Sequence, residues 1–257
     1  FKLIKFSKFV KYIGFITVRS NSSRLKKKCL LNFGKYKVVE HFIRRCLINK
    51  IKPIVCTTRH PEDNIIVKIS KKLKVDFFRG SEKNKIKRWH DCCKKFKVKY
   101  FHTVDADDVF FDPISIKRSL NLCRKGYDIV YPSKASREGG GSEGYSFNHK
   151  SIKLIYKSLY KFKNKINSLD TEIIEPFIDK KKLQTTILRV SKYETTKARL
   201  TLDYKEDYKM LCKIVNTKGN FSSREEINNF LKKNNNITKI NYYRTYEWKK
   251  KQKQSVF

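Results

Sequence analysis

The sequence predicts an α/β fold, a mainly parallel sheet between two layers of helices. Two observations carry this. Short apolar runs alternate along the chain with segments of helical period. The links between them are short, and the polar loops at residues 19–28, 57–63, 79–82 and 105–108 each follow a strand. In a parallel sheet wound right-handedly such loops gather along one edge, where ligands bind.

The elements follow in order. Ile13 to Val18 is a short apolar run and reads as a buried strand. The polar loop Arg19 to Lys28, with Ser22, Ser23 and Arg24, follows at once. Strand, cationic loop, helix is a layout that holds phosphates at the carboxyl end of a sheet. Arginines grip phosphate oxygens in bidentate fashion, and hydroxyls and loop amides fill the remaining positions. The plainer alternative is a basic surface loop. Val38 to Asn49 has helical spacing, and Pro53 to Thr58 is a β-rich run. Pro61 suits the first turn of a helix over Asn64 to Leu73. Val75 to Phe78 is a strand closed by Arg79-Gly80-Ser81. Ile86 to Phe96 is a helix with Trp89, Cys92, Cys93 and Phe96 on one face. Tyr100 to Val104 is a strand that ends in Asp105-Ala-Asp107-Asp108.

Pro113 opens a helix that runs to Arg124, and Tyr127 to Tyr131 is a strand. The glycine-rich stretch Ser136 to Gly144 lacks the ending of a P-loop and reads either as a mobile lid or as a flexible linker. Tyr145 to Phe147 is a strand, Ser151 to Phe162 a basic amphipathic helix, and Asp170 to Ile178 a helical stretch ended near Pro176. Leu183 to Val190 is a strand. Leu200 to Asp203 reads as a strand end before the helix Lys205 to Val215. A further helix, Ser223 to Lys232, is capped by Ser222 or Ser223 with Glu225 and Glu226 in its first turn, and Asn234 to Asn236 breaks it. Lys249 to Phe257 is expected to fray. Residues 1–215 form the main domain on this reading, with 216–257 as a helical extension.

The chain of 257 residues, 39% hydrophobic, can bury a sizeable core. Lysine and arginine number 61 against 24 acids, a formal charge of +37. Such a charge points to a polyanion partner, and a basic nucleic-acid-binding protein is one reading. The lysines are spread over the whole length, beside abundant asparagine and isoleucine, as an AT-rich coding sequence would produce. Most of the charge is therefore read as compositional drift, with weak, salt-sensitive polyanion binding as a side effect. Seven cysteines lie scattered without zinc or CxxC spacing, which predicts reduced core thiols in a cytoplasmic protein. No apolar run approaches ~20 residues, so no transmembrane helix is expected. Phe1 to Tyr12 lacks the long apolar region and cleavage site of a signal peptide.

Asp105, Asp107 and Asp108 put three carboxylates into four residues. Unpaired carboxylates repel unless a cation balances them, and a hard divalent ion brings substrate phosphates with it. Asp203 is a second acid of the same kind; a solvated turn or a helix cap is the alternative for either. With a cationic loop on the same edge, they describe a metal–nucleotide site.

Here the residues resemble a family. Arg19-x-x-Ser22-Ser23-Arg24-Leu25-x-x-Lys28-x-Leu30 is similar to the Arg-x-x-Ser-[Ser/Thr]-Arg-Leu-Pro-Gly-Lys-x-Leu signature of the cytidylyltransferases that make CMP-sugars. These include the CMP-keto-deoxyoctulosonate and CMP-acylneuraminate synthetases and the branch named for spore coat polysaccharide biosynthesis protein F, which the sequence resembles more closely. Thr57-Thr58-x-x-Pro61-Glu62-Asp63, Phe78-Arg79-Gly80-Ser81-Glu82 with Arg88, Asp107 with Asp112-Pro113, and Arg199-Leu-Thr201-Leu-Asp203-x-x-Glu206-Asp207 continue the likeness in order, over roughly residues 12–215.

The resemblance implies a Rossmann-like nucleotidyltransferase fold of GT-A-like, three-layer α/β/α form. It implies transfer of CMP from CTP to a sugar with release of pyrophosphate, in surface polysaccharide or glycan biosynthesis. Arg19, Arg24 and Lys28 would clamp the triphosphate and, with Asp107, form the catalytic group. Ser22, Ser23, Thr57, Thr58, Arg79, Gly80, Ser81 and Arg88 would line the nucleotide site. Asp107 and Asp203 would bind magnesium, or manganese. Glu143 and Gly144 would face the sugar, within a sugar-pocket and dimerisation insert at about 133–198. The implied partners are CTP, a sugar and a second copy in a homodimer, with no specific nucleic acid and no membrane insertion. Asp105-Ala-Asp107 also resembles the metal motif of GT-A glycosyltransferases, an alternative in which a triphosphate grip has no use. The sequence departs from the family at Lys26-Lys27, in place of Pro-Gly, at Asn84 and Lys87, in place of acids, and at Val109, in place of proline. The first change predicts a loop stiffer in φ and more cationic.

Overall fold

Alternation along the strands decides the architecture. In β1 (Ile13–Thr17), Phe15 turns to one face of the sheet and Ile16 to the other, and both are fully buried. A strand apolar on both faces has to be covered on both. The structure, a computed structural model, describes residues 11–22, 24–165, 169–190 and 198–254.

After β1 come a short hairpin, β2 (Asn32–Phe33) and β3 (Tyr36–Lys37), and helix α1 (Val38–Ile48). Then follow β4 (Lys52–Thr58), α2 (Asn64–Lys72), β5 (Asp76–Gly80), α3 (Lys85–Phe96) and β6 (Tyr100–Asp105). The chain continues through α4 (Pro113–Arg124), β7 (Ile129–Tyr131), β8 (Ser146–Asn148), α5 (His149–Ser158) and β9 (Thr185–Ile187). It closes with α6 (Lys205–Lys218), α7 (Arg224–Lys233), α8 (Asn235–Thr238) and α9 (Arg244–Gln254).

The main sheet has the order β5-β4-β1-β6-β8-β7-β9. Strands β5, β4, β1 and β6 are parallel, β8 runs antiparallel to β6 and β7, and β9 is parallel to β7. This is the expected mainly parallel sheet, mixed at one side. Chain order reverses between β1 and β6, so their carboxyl ends flank a switch point where such sheets bind ligands.

One face carries Ile16, Val55 and Val104 under α1, α4, α6 and α7, through Phe42, Leu120, Met210 and Ile227. The other carries Phe15, Ile54 and Phe101 under α3 and α5, through Trp89 and Ile152. Each such side chain contributes about 1.5–3 kcal/mol by leaving water. The helix starts are set by local capping. Asn84 accepts from Lys87 N at 2.8 Å, so this departure from the family's acid still caps α3. Asp112 caps α4 ahead of Pro113, and Ser223 forms a capping box with Glu226 at α7.

Four expectations need correction. The glycine-rich stretch is neither lid nor linker, because residues 139–144 are buried and held by the buried guanidinium of Arg224, which donates to the Gly140 carbonyl. Asp170 to Ile178 is irregular apart from one 3-10 turn at Glu175–Phe177. Leu200 to Asp203 is extended but belongs to no strand; Leu200 N donates to the Gly139 carbonyl and Leu202 N to the Asp107 carbonyl, both at 2.8 Å. The stretch expected to fray from Lys249 is helical to Gln254, and 255–257 lie outside the described residues. The expected extension from 216 onward packs Ile227 and Leu231 into the main core.

Candidate active site

The loop after β1 turns back under its own cations. Lys27 takes φ 52°, a left-handed backbone, and so starts the 3-10 turn Lys28–Leu30. This is where the signature carries glycine, so the lysine pays a strain of about 1–2 kcal/mol that glycine avoids. The turn aims Lys28 inward. Its Nζ donates to the Leu202 carbonyl at 2.9 Å and to Asp203 Oδ1 at 3.0 Å, and lies 3.4 Å from Asp107 Oδ2. Arg24 Nη2 donates to the same Asp203 oxygen at 2.6 Å.

Asp203 is gripped from its other side as well. Arg199 Nη2 reaches Asp203 Oδ2 at 3.2 Å, and Arg199 Nε donates to Asp207 Oδ1 at 3.0 Å. Asp207 accepts the backbone N–H groups of Asp203 and Tyr204 at 2.9 and 3.0 Å, which fixes the bend into α6. A buried carboxylate is tolerable only when it is paired and hydrogen-bonded in this way. Burial pushes the Asp203 carboxyl up, but Lys28 and Arg24 outweigh it and hold its pKa far below the usual range. Burial works against the Lys28 ammonium, and Asp107 and Asp203 reverse that, so it stays charged.

Asp105, the last residue of β6, and Asp108 shift the other way. Burial pushes Asp105 up to about 6, with Lys85 opposing and Asp107 adding to the shift. Burial, then Asp107, Asp105 and Asp203, raises Asp108 further. Asp108 fits only because Gly141 (φ +55°) stands against it; a Cβ there would lie 2.7 Å from Asp108 Oδ1. Among the described residues no three acidic, histidine or cysteine side chains form a metal cage. Asp107 and Asp203 nonetheless offer hard oxygens on either side of one cation, and the surplus acid around them is chemistry that suits a divalent ion completed by phosphate oxygens.

Arg19, Ser22, Arg24, Lys28, Asp107 and Glu143, among others, line one cleft of about 1300 Å³ at the carboxyl edge, and Asp203, Arg199 and Asp207 lie buried outside its lining. A family model described as cytidylyltransferase matches residues 13–244. The chain belongs to the cytidylyltransferase family. It is 29% identical over 240 residues to an uncharacterised protein of Methanocaldococcus jannaschii, covering 90% of this chain and 95% of that one. A cytidylyltransferase structure from Leptospira borgpetersenii superposes with TM-score 0.75 at 20% identity, covering 90% and 97% of the two chains. A CMP:2-keto-3-deoxy-manno-octonic acid synthetase solved with CTP gives 0.61 at 12% identity, covering 81% and 99%. These structural likenesses show the nucleotidyltransferase fold. The glycosyltransferase reading of Asp105-Ala-Asp107 gives way to this membership.

In this cytidylyltransferase the remaining expected residues divide. Arg88, buried, lines the cleft and donates to the Ser81 carbonyl at 2.7 Å. Glu143 and Gly144 line it too. Glu143 Oε1 accepts from Ser133 N at 2.8 Å, while its buried Oε2 has no partner among the described residues. Gly144 presses against Thr103, where a Cβ would stand 2.2 Å from Oγ1. Thr57, Thr58, Arg79, Gly80 and Ser81 are not brought to the cleft. Thr57 Oγ1 donates to buried Asp63 at 2.9 Å, as does Thr58 N at 3.1 Å. Arg79 bonds Thr58 O, His60 O and Asn64 Oδ1 at 2.9, 2.9 and 2.7 Å. Gly80 O accepts from Arg59 N at 3.2 Å, and Ser81 Oγ from Asn84 N at 3.2 Å. Ser23 lies outside the described residues.

Several residues had no role before the structure. Asp63 accepts both the backbone N–H of Ser20, at 2.8 Å, and its hydroxyl, and so moors the loop after β1 to β4. Lys85, buried beside Trp89, donates to the Glu172 carbonyl at 2.7 Å; among so many lysines it carried no signal. Asp63, Arg199 and Asp207 stood inside the matching segments and could have been found there by asking which motif residues are buried. No helix among the described residues is long and apolar enough to cross a membrane. Six of the seven cysteines are buried and all are free.

Proposed function

We propose that this cytidylyltransferase transfers CMP from CTP to a sugar, with release of pyrophosphate and dependence on magnesium. The observation that carries the reading is the convergence of Arg24 and Lys28 on Asp203, with Lys28 also reaching Asp107, at the β1–β6 switch point. A sugar oxygen attacks the α-phosphorus, the bond to the bridging oxygen of the β-phosphate breaks, and pyrophosphate leaves. Catalysis of this kind is positioning and charge neutralisation. Arg19, about a third exposed, and Arg24 meet the outer phosphates from the loop, and Lys28 stands nearest the carboxylates, where charge on the leaving group grows. Asp107 and Asp203 would hold the magnesium ion, which supplies further neutralisation of the phosphates when bound. The unpartnered Oε2 of Glu143 offers an acceptor to a sugar hydroxyl. The solved relative named for a sugar acid makes a sugar acid the first acceptor to try.

The test is a panel of nucleotides and sugars read by pyrophosphate release. CTP with one sugar class is expected to release pyrophosphate, and Asp107→Ala to lower the rate by about 100-fold or more. Full activity in that variant removes Asp107 from the metal site; release with another nucleotide but not CTP overturns the cytidine assignment.

A further inference from the structure

Helix α9 lies almost wholly beyond the matched stretch, which ends at residue 244. Its side chains nevertheless reach the centre of the site. Arg244 is moored to Glu206 by two bonds of 2.9 and 3.1 Å and to Glu247 by one of 2.5 Å. Its guanidinium lies 4.9 Å from the Tyr204 ring, and the same ring has Arg199 at 5.6 Å and Arg24 at 5.9 Å. One aromatic side chain thus touches the tail, the phosphate clamp and the arginine that holds Asp203. One helical turn on from Arg244, Trp248 lines the cleft, with its ring 5.3 Å from the Arg199 guanidinium. Arg199 is only 1% exposed, and its Nη1 has no hydrogen-bond partner among the described residues. The ring face is what that buried nitrogen has nearby instead, a cation–π arrangement. Just before α9, buried Asn241 donates to the Arg199 carbonyl and to Asp207 Oδ1, both at 2.9 Å.

We propose that α9 is a working wall of the nucleotide cleft, in which Trp248 positions Arg199, and through it Asp203, for binding CTP with its metal. The inference rests on the CTP reading above. Without the ring, Arg199 gains freedom to turn from Asp203, and the carboxylate loses one of its three cations. Linkage makes the effect reciprocal: CTP favours a docked α9, and a docked α9 favours CTP.

Both tryptophans of the chain, Trp89 and Trp248, line this cleft. A Trp89→Phe chain therefore reports Trp248 alone. CTP with magnesium is expected to change its emission along the same saturation curve that calorimetry gives. In the otherwise intact chain, Trp248→Ala should weaken CTP binding by roughly 2- to 30-fold, with far-ultraviolet dichroism unchanged, and Trp248→Phe should restore most of it. If Trp248→Ala binds CTP as the intact chain does, the inference is overturned and the cytidylyltransferase reading stands. If the intact chain binds no CTP, both fall together.

Discussion

Two turns leave the same edge of the sheet carrying the same kinds of residue. The loop Arg19 to Lys28 follows β1, and the turn Thr57 to Asp63, with Arg79 beside it, follows β4. In the turn every named group bonds inward: Thr57, Thr58 and, from the other loop, Ser20 surround Asp63, and the Arg79 donors meet carbonyls and Asn64. In the loop, Arg24 and Lys28 hold buried Asp203, Lys28 also reaches Asp107 in the cleft, and both cations line the cleft themselves. One turn is a knot, the other an open clamp. What separates them is place: Arg24 and Lys28 line the cleft, and Thr57, Thr58, Asp63 and Arg79 do not.

Lys28→Ala should break the clamp and nothing else as severely. It removes the cation shared by Asp107 and Asp203, and pyrophosphate release is expected to fall by about 1,000-fold. A loss under tenfold would place the working cation elsewhere. Asp63→Ala tests the knot. It strands five donors on three buried residues, so urea denaturation should show a loss of about 3 kcal/mol while turnover at saturating CTP stays within a few-fold. Lost turnover at unchanged stability would move this turn into the catalytic group.

Acid sharpens the contrast. Burial holds His41 and His102 neutral down to about 3, where free imidazole protonates near 6.5. The unfolded chain takes up these protons first, so stability falls as pH drops from 6.5, by about 1.4 kcal/mol per histidine per pH unit. Burial raises Asp63, yet bonds from Ser20 and Thr58 leave it below 3.8, so the knot's contribution is complete above that value and is lost only below it. A flat urea midpoint between pH 6.5 and 5 contradicts the histidine assignment. The smallest effect is local to the clamp. Lys27→Gly relieves the left-handed φ of 52° but frees the unfolded chain, so thermal melting should show a net gain of about 0.5 kcal/mol. A loss there means the lysine side chain holds the loop.

Much of the fold was legible because its signals are local. Phe15 against Ile16 shows a strand covered on both faces, and Pro61, Pro113 and Ser223 mark helix starts with their own chemistry. Charge was legible at Arg24, Lys28 and Asp107 because a small-residue loop and an acid cluster directly follow strands. What failed depends on distant partners. Residues 139–144 look flexible until Arg224 is seen to reach the Gly140 carbonyl from α7. The bonds of Arg79 to Thr58 O, His60 O and Asn64 Oδ1 carry no sequence signal either. Trp248 carried no signal, since its role exists only where α9 meets Arg199.

The spans bridged by the clamp also set an order of events during synthesis. Lys28 and Arg24 meet Asp203 across 175 and 179 residues of chain. Contacts that far apart close late. A nascent chain can have β1, β4, β5 and β6 paired while its loop cations still lack their buried anion. A chain interrupted before Asp203 lacks both the carboxylate that organises its clamp and the helices α6 and α7 that cover one face of its sheet.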